Sequence, residues 1–369
     1  RKDKILYKNF LFLVAYDCNF RCPYCYESKV LKDSRQWSKK VFTKEMVDKA
    51  FETMHKIEEN RKLHSPKIIL YGGEPLLAQN KEIIEYIVNR GKDLGYYFMA
   101  VTNGYNLDEF QDFLGKDKIR SLQITIDGMK EIHDQRRIHF QTRTSFDKII
   151  NNIKIALEHD VTIAIRVNTD ADNFDELNRI DQLFKDLGYY EKGKLQIYSG
   201  LLFDYKDTQL HKNKSLNYMS KSEYNKRHKE VAYKYNCSVS DITQFLYKTI
   251  KNGNRINFSS VYCPAQTGTY ILDPFGDIYS CWENVGNIEK IIGHYINDCI
   301  EWTDIRDLWH NQNITLSIDC VQCKYAFFCR GGCIAEGTHK RGIFGPGFCN
   351  AYPETFQYAV NLVYSMMHK

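Results

Sequence analysis

One short stretch decides how this chain folds: Cys18-Asn-Phe-Arg-Cys22-Pro-Tyr-Cys25-Tyr26, which directly follows the apolar run Leu11–Ala15. Because its cysteines are spaced by four and three residues, a single loop presents three thiolates to one metal centre. Cubane iron–sulfur clusters are normally held by four cysteines. A loop with three therefore leaves one iron open for an exchangeable ligand, as in catalytic zinc sites, and this indicates catalysis. Half of a zinc site is the alternative interpretation of such spacing.

The pattern CxxxCxxC, with the aromatic Tyr24 before its last cysteine, resembles the signature loop of the radical S-adenosylmethionine (SAM) enzymes. The resemblance implies that Cys18, Cys22 and Cys25 hold a [4Fe–4S] cluster whose free iron is chelated by the amino and carboxyl groups of SAM. It further implies that one electron from this cluster cleaves SAM to methionine and a 5'-deoxyadenosyl radical. The same resemblance disfavours zinc.

The composition favours a metal-binding protein in a reducing compartment. The chain has 369 residues, enough for two or three domains, and 12 cysteines without a clear signal peptide. No apolar run approaches the roughly 20 residues of a membrane span, so we expect a soluble, cytoplasmic protein. The net charge of +5 is modest. One basic segment, residues 206–234, is typical of a solvated helical surface, with a landing site for an acidic peptide as the alternative; no nucleic-acid-binding motif accompanies it.

Short apolar runs typical of β-strands alternate with helical patterns through the first 200 residues. Helical patterns begin near Thr43 and then cover Ile83–Val88, Phe146–Leu157 and Phe174–Leu187. The alternation predicts an α/β fold of about six β/α units, a partial (β/α)6 TIM-like barrel with parallel strands. The predicted strands after Leu11–Ala15 are Ile68–Tyr71, Phe98–Thr102, Leu122–Ile126, Val161–Val167 and Leu195–Tyr198.

Polar residues and glycines follow these predicted strands, where ligands bind in such folds. The first set is Gly72-Gly73-Glu74-Pro75: glycine lets the backbone approach a ligand closely, and a carboxylate accepts hydrogen bonds from an ammonium group. Each motif alone is weak, because these are ordinary loop residues. Together with the cysteine loop they resemble the radical SAM barrel, which implies that Gly72, Gly73 and Glu74 face the SAM amine. Further candidates for contacts with SAM are Tyr24, Thr102, Asn103, Thr125 and Asn168.

Another stretch, Asp127-Gly128 followed by His133-Asp-Gln-Arg136-Arg137, resembles the peptide-modifying branch of the same enzymes. On that resemblance Arg137 is the candidate clamp for a SAM carboxylate, through charge-assisted bidentate hydrogen bonds. Arg136, one residue earlier, is the alternative candidate for this clamp if the register of the motif is shifted by one. An arginine paired to a surface acid is the purely structural alternative.

Seven further cysteines follow later in the chain: Cys263, Cys281, Cys320, Cys323, Cys329, Cys333 and Cys349. Their order closely resembles the SPASM pattern of radical SAM enzymes that act on peptides and proteins, a domain with two auxiliary clusters. The resemblance implies a proximal cluster held by Cys263, Cys281 and Cys333. Where fully ligated relatives have an eighth cysteine, this chain has Asn257. Either Cys237 supplies the fourth bond or the proximal cluster has an open iron, which we favour because it could bind a substrate thiolate. The distal cluster would be held by Cys320, Cys323, Cys329 and Cys349.

We expect four parts: a radical SAM barrel over residues 1–200, a bridging region over 201–260, a SPASM domain over 261–349 and a docking helix over 350–369. The last carries a predicted apolar face. Its members are Phe356, Ala359, Val360, Val363, Tyr364 and Met367.

The function implied by these resemblances is hydrogen abstraction from a residue of a ribosomal precursor peptide, forming a thioether or carbon–carbon cross-link. The cofactors would be SAM and three iron–sulfur clusters, one SAM-binding [4Fe–4S] cluster and two auxiliary [4Fe–4S] clusters. The partners would be the peptide and an electron donor such as flavodoxin or ferredoxin. The second interpretation is an anaerobic sulfatase-maturing enzyme, disfavoured by Trp282 where those enzymes have an acid and by Glu27 in the first loop. The third is a non-catalytic electron carrier.

Overall fold

A computed structural model describes residues 7–27, 40–202, 216–227, 241–253 and 258–368. Its first half contains six parallel strands that pair in sequence order, from β1 next to β2 through to β6. Parallel neighbours need crossover connections, and helices supply them, as the alternating pattern predicts. The strands are β1 (Lys8–Ala15), β2 (His64–Gly72), β3 (Tyr97–Thr102), β4 (Ile119–Thr125), β5 (Thr162–Thr169) and β6 (Leu195–Leu201).

Four short strands from the C-terminal part extend this sheet beyond β1. The order across the whole sheet is β10-β9-β8-β7-β1-β2-β3-β4-β5-β6. The strand β7 pairs parallel with β1, whereas β8, β9 and β10 continue antiparallel. The strand β1 therefore joins the barrel to the cysteine-rich part. The added strands are β7 (Thr269–Leu272), β8 (Asp277–Tyr279), β9 (Gly293–His294) and β10 (Glu301–Trp302).

Five helices accompany the barrel strands: α1 (Lys44–Ile57), α2 (Lys81–Asp93), α3 (Lys130–Arg136), α4 (Phe146–Glu158) and α5 (Glu176–Asp186). The apolar stripes of α1, α2, α4 and α5 share one buried core with the strands, as expected for amphipathic helices, whereas the buried residues of α3 are His133 and Arg136. At the start of α1 the side chain of Thr43 accepts a hydrogen bond from the backbone NH of Met46 at 3.2 Å, a typical N-cap. These observations confirm the predicted fold class.

The C-terminal half adds short helices and one long final helix. They are α6 (Asp241–Lys251), α7 (Asp304–His310), α8 (Ile318–Val321), α9 (Ala326–Cys329), α10 (Ile334–Arg341) and α11 (Tyr352–Met367). On α11, Ala359 and Val363 pack against Leu246 of α6. The predicted apolar face was wrong for Val360, Tyr364 and Met367, which are exposed, since the contact with α6 buries a narrower stripe. No helix in the described ranges is long and apolar enough to cross a membrane.

Candidate active site

The first cysteine loop leaves the carboxyl end of β1 and is held against the segment after α3. The backbone NH of Arg21 donates to the carbonyl of Ile138 at 2.8 Å, and the NH of Phe140 donates to the carbonyl of Asn19 at 2.9 Å. Inside the loop, the NH of Phe20 donates to Cys18 Sγ at 3.3 Å. The loop is thus shaped by ordinary backbone hydrogen bonds, and its thiols carry no cross-link.

The three thiols of this loop share one poorly hydrated environment. Burial raises the pKa of Cys18, Cys22 and Cys25, and the charge of Cys22 raises the pKa of both other thiols. Thiolates gathered in such a place require nearby positive charge. The Arg137 guanidinium supplies some at Cys22, and iron in a cluster would supply far more. The donor set therefore fits an iron–sulfur cluster, and the assignment of the three cysteines as its ligands stays a prediction.

Two glycines bring the end of β2 against the start of this loop. A Cβ on Gly72 would lie 2.2 Å from the carbonyl oxygen of Ala15, and one on Gly73 would lie 2.3 Å from that of Tyr16. The NH of Gly73 donates to Ala15 O at 3.0 Å, and the NH of Glu74 donates to Asp17 O at 2.8 Å. Any side chain here would push the two segments apart, which explains why glycine occupies both positions.

Glu74 is buried, and its carboxylate accepts hydrogen bonds from neighbouring residues. Its Oε1 accepts from Leu76 NH at 2.9 Å and from the Thr102 hydroxyl at 2.6 Å, and its Oε2 accepts from Asn103 NH at 2.6 Å. Burial raises the pKa of Glu74, against the lowering effect of these bonds, and its charge reaches Cys18. A carboxylate accepts about four hydrogen bonds, so one more position fits an ammonium group beside the cysteine loop.

Other predicted SAM contacts lie at the same edge of the sheet. Thr102, Asn103, Thr125 and Asn168 are all buried at the carboxyl ends of β3, β4 and β5. The amide of Asn103 donates to Asn19 Oδ1 at 2.7 Å, which ties the end of β3 to the cysteine loop. The Asn168 side chain accepts from Arg166 Nε at 2.9 Å. The structure therefore gathers these residues, and their contacts with SAM remain predictions.

Asp127, which sequence reasoning noted only as part of an Asp-Gly turn, organises the next part of the site. It accepts hydrogen bonds from the Tyr24 hydroxyl and from the backbone NH of Asn168, the latter at 3.0 Å. Tyr24 also accepts from Arg137 Nη1 at 3.0 Å. An acid directly after the predicted strand Leu122–Ile126 is the sequence signal that would have identified Asp127, which the structure buries fully.

The two neighbouring arginines have different surroundings. Arg136 donates to Asp170 Oδ2 at 2.8 Å and to the carbonyl of Asn168 at 3.2 Å, so its charge serves the fold. Arg137 is buried beside Tyr24 and Cys22, and its Nε has no hydrogen-bond partner within the described part of the chain. The Nε of Arg136 also lacks a hydrogen-bond partner among the described residues, but it lies 3.6 Å from Asp127 Oδ2. The predicted carboxylate clamp therefore fits Arg137 better than Arg136, whose charge is shared between two buried carboxylates.

The C-terminal cysteines form two groups. The pKa of Cys281 is raised by burial and by the charges of Cys263 and Cys333. The pKa of Cys329 is raised to about 11 by burial and by the charges of its own neighbours, Cys349, Cys320 and Cys323. The two groups have the same members as the two predicted auxiliary ligand sets, and the assignment of these cysteines as cluster ligands stays a prediction. Both positions considered for the eighth ligand, Cys237 and Asn257, lie outside the described residues.

Between the first loop and the Cys281 group lies a set of residues that sequence reasoning did not connect. Burial raises the pKa of Tyr71, and the charges of Glu283, Cys25 and Cys281 raise it further. The Trp282 ring lies 5.4 Å from the Tyr71 ring. Burial, together with the carboxylates of Glu74 and Glu283, raises the pKa of Glu27 to about 8. Tyr71 therefore lies near both cysteine regions and near the carboxyl group of Glu283.

Comparison with known proteins agrees with this geometry. Residues 12–194 match the radical SAM superfamily, and the chain is a radical SAM enzyme. Radical SAM enzymes bind SAM and a [4Fe–4S] cluster; SPASM-type relatives also carry auxiliary clusters, and this chain has many cysteines. The zinc and electron-carrier interpretations are wrong.

Several relatives match over nearly the whole chain. The cysteine-type anaerobic sulfatase-maturating enzyme of Clostridium perfringens strain 13 is 24% identical over 381 residues, covering 93% of each chain. The solved structure of anSMEcpe with bound AdoMet and Cp18Cys peptide superposes with a TM-score of 0.69 at 19% identity, covering 98% of this chain and 99% of that one. Streptococcus suis SuiB bound to the precursor peptide SuiA superposes with a TM-score of 0.57 at 12% identity, covering 94% and 75%.

Proposed function

We propose that this enzyme is a peptide maturase, which abstracts hydrogen from a residue of a ribosomal precursor peptide and closes a thioether or carbon–carbon cross-link. The observation that carries the proposal is the position of the buried Tyr71 ring, which lies 5.4 Å from the ring of Trp282, the residue after Cys281. The charge of Cys25 in the first loop also raises the pKa of Tyr71. A substrate residue beside Tyr71 would lie close to the SAM site and to an auxiliary cysteine group at once. Two solved relatives carry a bound peptide, which supports a substrate of that kind.

The chain's own residues would bind and orient SAM. Glu74 offers its remaining acceptor position to the SAM amine, and Arg137 offers its Nε to the carboxylate. Gly73 allows the close approach of the backbone that this arrangement requires. When bound, SAM and the cluster of the first loop supply a carbon-centred radical, and the protein contributes position and exclusion of water.

The proximal cysteine group is proposed to hold a cluster with an open iron for a substrate thiolate. Cys263, Cys281 and Cys333 are its three thiols within the described residues. Replacing Cys237 by alanine and counting iron by Mössbauer spectroscopy tests this assignment. Unchanged iron content is expected, and loss of one cluster would show that Cys237 is the fourth ligand.

Sulfatase maturation is the second candidate, because the sulfatase-maturating relative matches 93% of the chain. Its chemistry oxidises a cysteine or serine to formylglycine and needs a base. Trp282 directly follows Cys281 and packs on Tyr71, so an acid is absent from that position. Glu283 is one residue further on, and its charge raises the pKa of both Tyr71 and Glu27. It is the residue that would act as the base instead.

Mass spectrometry separates these outcomes. The reduced protein is incubated anaerobically with SAM and either a cysteine-containing precursor peptide or a sulfatase-derived peptide. Formation of 5'-deoxyadenosine, with loss of two hydrogens and one thiol that resists alkylation, is expected for the thioether product. Loss of two hydrogens with every thiol still alkylatable indicates a carbon–carbon bond. A product that reacts with hydrazine indicates formylglycine and would replace the proposal.

A further inference from the structure

We propose that an acidic one-electron carrier protein docks on a surface next to the first cysteine loop, formed by Arg21, Tyr105, Phe140 and Arg143 over the buried His139 and called here the Arg21 face. The proposal rests on the proposed function, because SAM cleavage at this loop consumes one electron. The carrier is oxidised by one electron and the cluster is reduced by one, and no proton or other group moves. Tunnelling rates fall steeply with distance, so the carrier must bind where this loop approaches the surface.

A row of aromatic rings leads from the loop to this surface. Phe20, whose NH donates to Cys18 Sγ, packs edge-on against Tyr105 and His139, with ring centroids 5.8 and 5.9 Å apart. Tyr105 and His139 stack at 4.1 Å with an angle of 11° between their planes. The Phe140 ring lies 5.3 Å from His139 and is 48% exposed. The path from a cysteine of the loop to solvent is therefore short and densely packed.

The charge of the Arg21 face suits an acidic partner. Arg21 is exposed, and its Nη1 donates to the carbonyls of Cys18 at 2.6 Å and Phe20 at 2.8 Å. Neither Arg21 nor the exposed Arg143 is paired with a carboxylate within the described ranges. Lys148 nearby is neutralised by Asp108 at 3.4 Å. Arg21 lies beside the exposed Phe140 ring, and Arg143 is tied to the same segment because its backbone NH donates to the carbonyl of His139 at 3.0 Å. Two uncompensated cations attract and orient an acidic carrier.

The segment that carries Phe140 is hydrogen-bonded to the first cysteine loop. A carrier bound to the Arg21 face is therefore held at a fixed position relative to that loop. The loop and the segment 138–140 exchange backbone hydrogen bonds on both sides of Phe20. The guanidinium of Arg21 lies 5.8 Å from the Phe140 ring centroid. A carrier that contacts Arg21 and Phe140 therefore contacts the loop itself and a residue packed against it.

The test follows cluster reduction rather than turnover. Flavodoxin hydroquinone is mixed with the loaded enzyme in a stopped-flow instrument, and the reduced cluster is quantified by EPR. Arg143→Glu should lower the second-order rate by about tenfold at low salt, the scale of electrostatic steering, with dithionite reduction unchanged. Arg21→Glu should act in the same direction. The control is Arg120→Glu, because Arg120 is an exposed cation 5.1 Å from the Tyr97 ring at the amino end of β4.

Three results would overturn the proposal. They are an unchanged rate in Arg143→Glu, an equal loss in Arg120→Glu, and a wild-type rate that does not depend on salt. Weaker binding of the precursor peptide to Arg143→Glu, with normal reduction, would assign the face to the peptide instead. If dithionite-reduced enzyme forms no 5'-deoxyadenosine, the proposed function fails, whereas the docking rates remain measurable and are judged separately.

Discussion

Removing the Tyr16 hydroxyl should weaken the fold at the seam between the barrel and the cysteine-rich part. Tyr16 lies two residues before Cys18, and its hydroxyl donates to Asp273 Oδ2 at 2.6 Å. Asp273 lies in the turn between β7 and β8, the strand that leads to Cys281. This one buried hydrogen bond therefore connects the two cysteine-bearing segments.

The expected loss in the free energy of unfolding follows from which hydrogen bonds the Asp273 carboxylate would keep and which it would lose. Oδ1 of Asp273 keeps the backbone NH groups of Phe275 at 2.9 Å and Asp277 at 2.8 Å. Tyr16 is the donor to Oδ2 among the described residues. Tyr16→Phe should lower the free energy of unfolding by about 2 kcal/mol at pH 8, the scale for a bond to a charged group, and by about 1 kcal/mol at pH 5. The difference arises because burial and the charge of Asp277 raise the pKa of Asp273 to about 7.

Anaerobic urea denaturation at the two pH values measures both losses. Tyr295→Phe is the matched control, since Tyr295 donates to the backbone carbonyl of the same Asp273 at 2.7 Å. That acceptor does not titrate, so its loss of about 1 kcal/mol should be equal at both pH values. The reasoning is refuted if Tyr16→Phe costs the same at pH 5 and pH 8, or if the control shows the same pH dependence.

Three further predictions concern single residues. Gly73→Ala should reduce iron loading measured after reconstitution, because its Cβ would lie 2.3 Å from Tyr16 O. The control is Gly95→Ala before β3: its φ of +76° strains the backbone locally, but its Cβ would have nothing within 4 Å, so it should load iron normally. Glu74→Gln should weaken SAM binding, measured by calorimetry, by tenfold or more. The glutamine side chain carries an amide nitrogen, which cannot accept a hydrogen bond and would have to face at least one of the three groups that donate to Glu74. The control Glu82→Gln, at an exposed position, should bind SAM normally. Wild-type stability should fall between pH 4 and pH 7, because folded Asp273, with its pKa raised from 3.8 to about 7, binds a proton that the unfolded chain releases. Asp273→Asn should flatten that slope in urea titrations, and an unchanged slope would exclude Asp273 as its source.

Much of the architecture was predictable because local patterns determine local structure. The strand that ends at Ala15, the three cysteines after it and the glycines after β2 all follow from spacing and alternation. A run of alternating β and α segments admits few topologies, so the barrel and the edge of the sheet that holds the site could be predicted. The division of the later cysteines into two groups came from the resemblance to SPASM domains and not from spacing, because Cys333 lies with Cys263 and Cys281 and not with the neighbouring Cys329.

What the tertiary structure alone decided is which distant segments meet. Pairing of β7 with β1 brings Asp273 to Tyr16, and packing beyond the strand ends brings Trp282 and Glu283 to Tyr71. The narrow buried stripe of the last helix was likewise set by its partner α6. Sequence periodicity reports which face of an element is apolar, whereas burial, and with it the pKa of a carboxyl such as Glu27, depends on contacts between elements hundreds of residues apart.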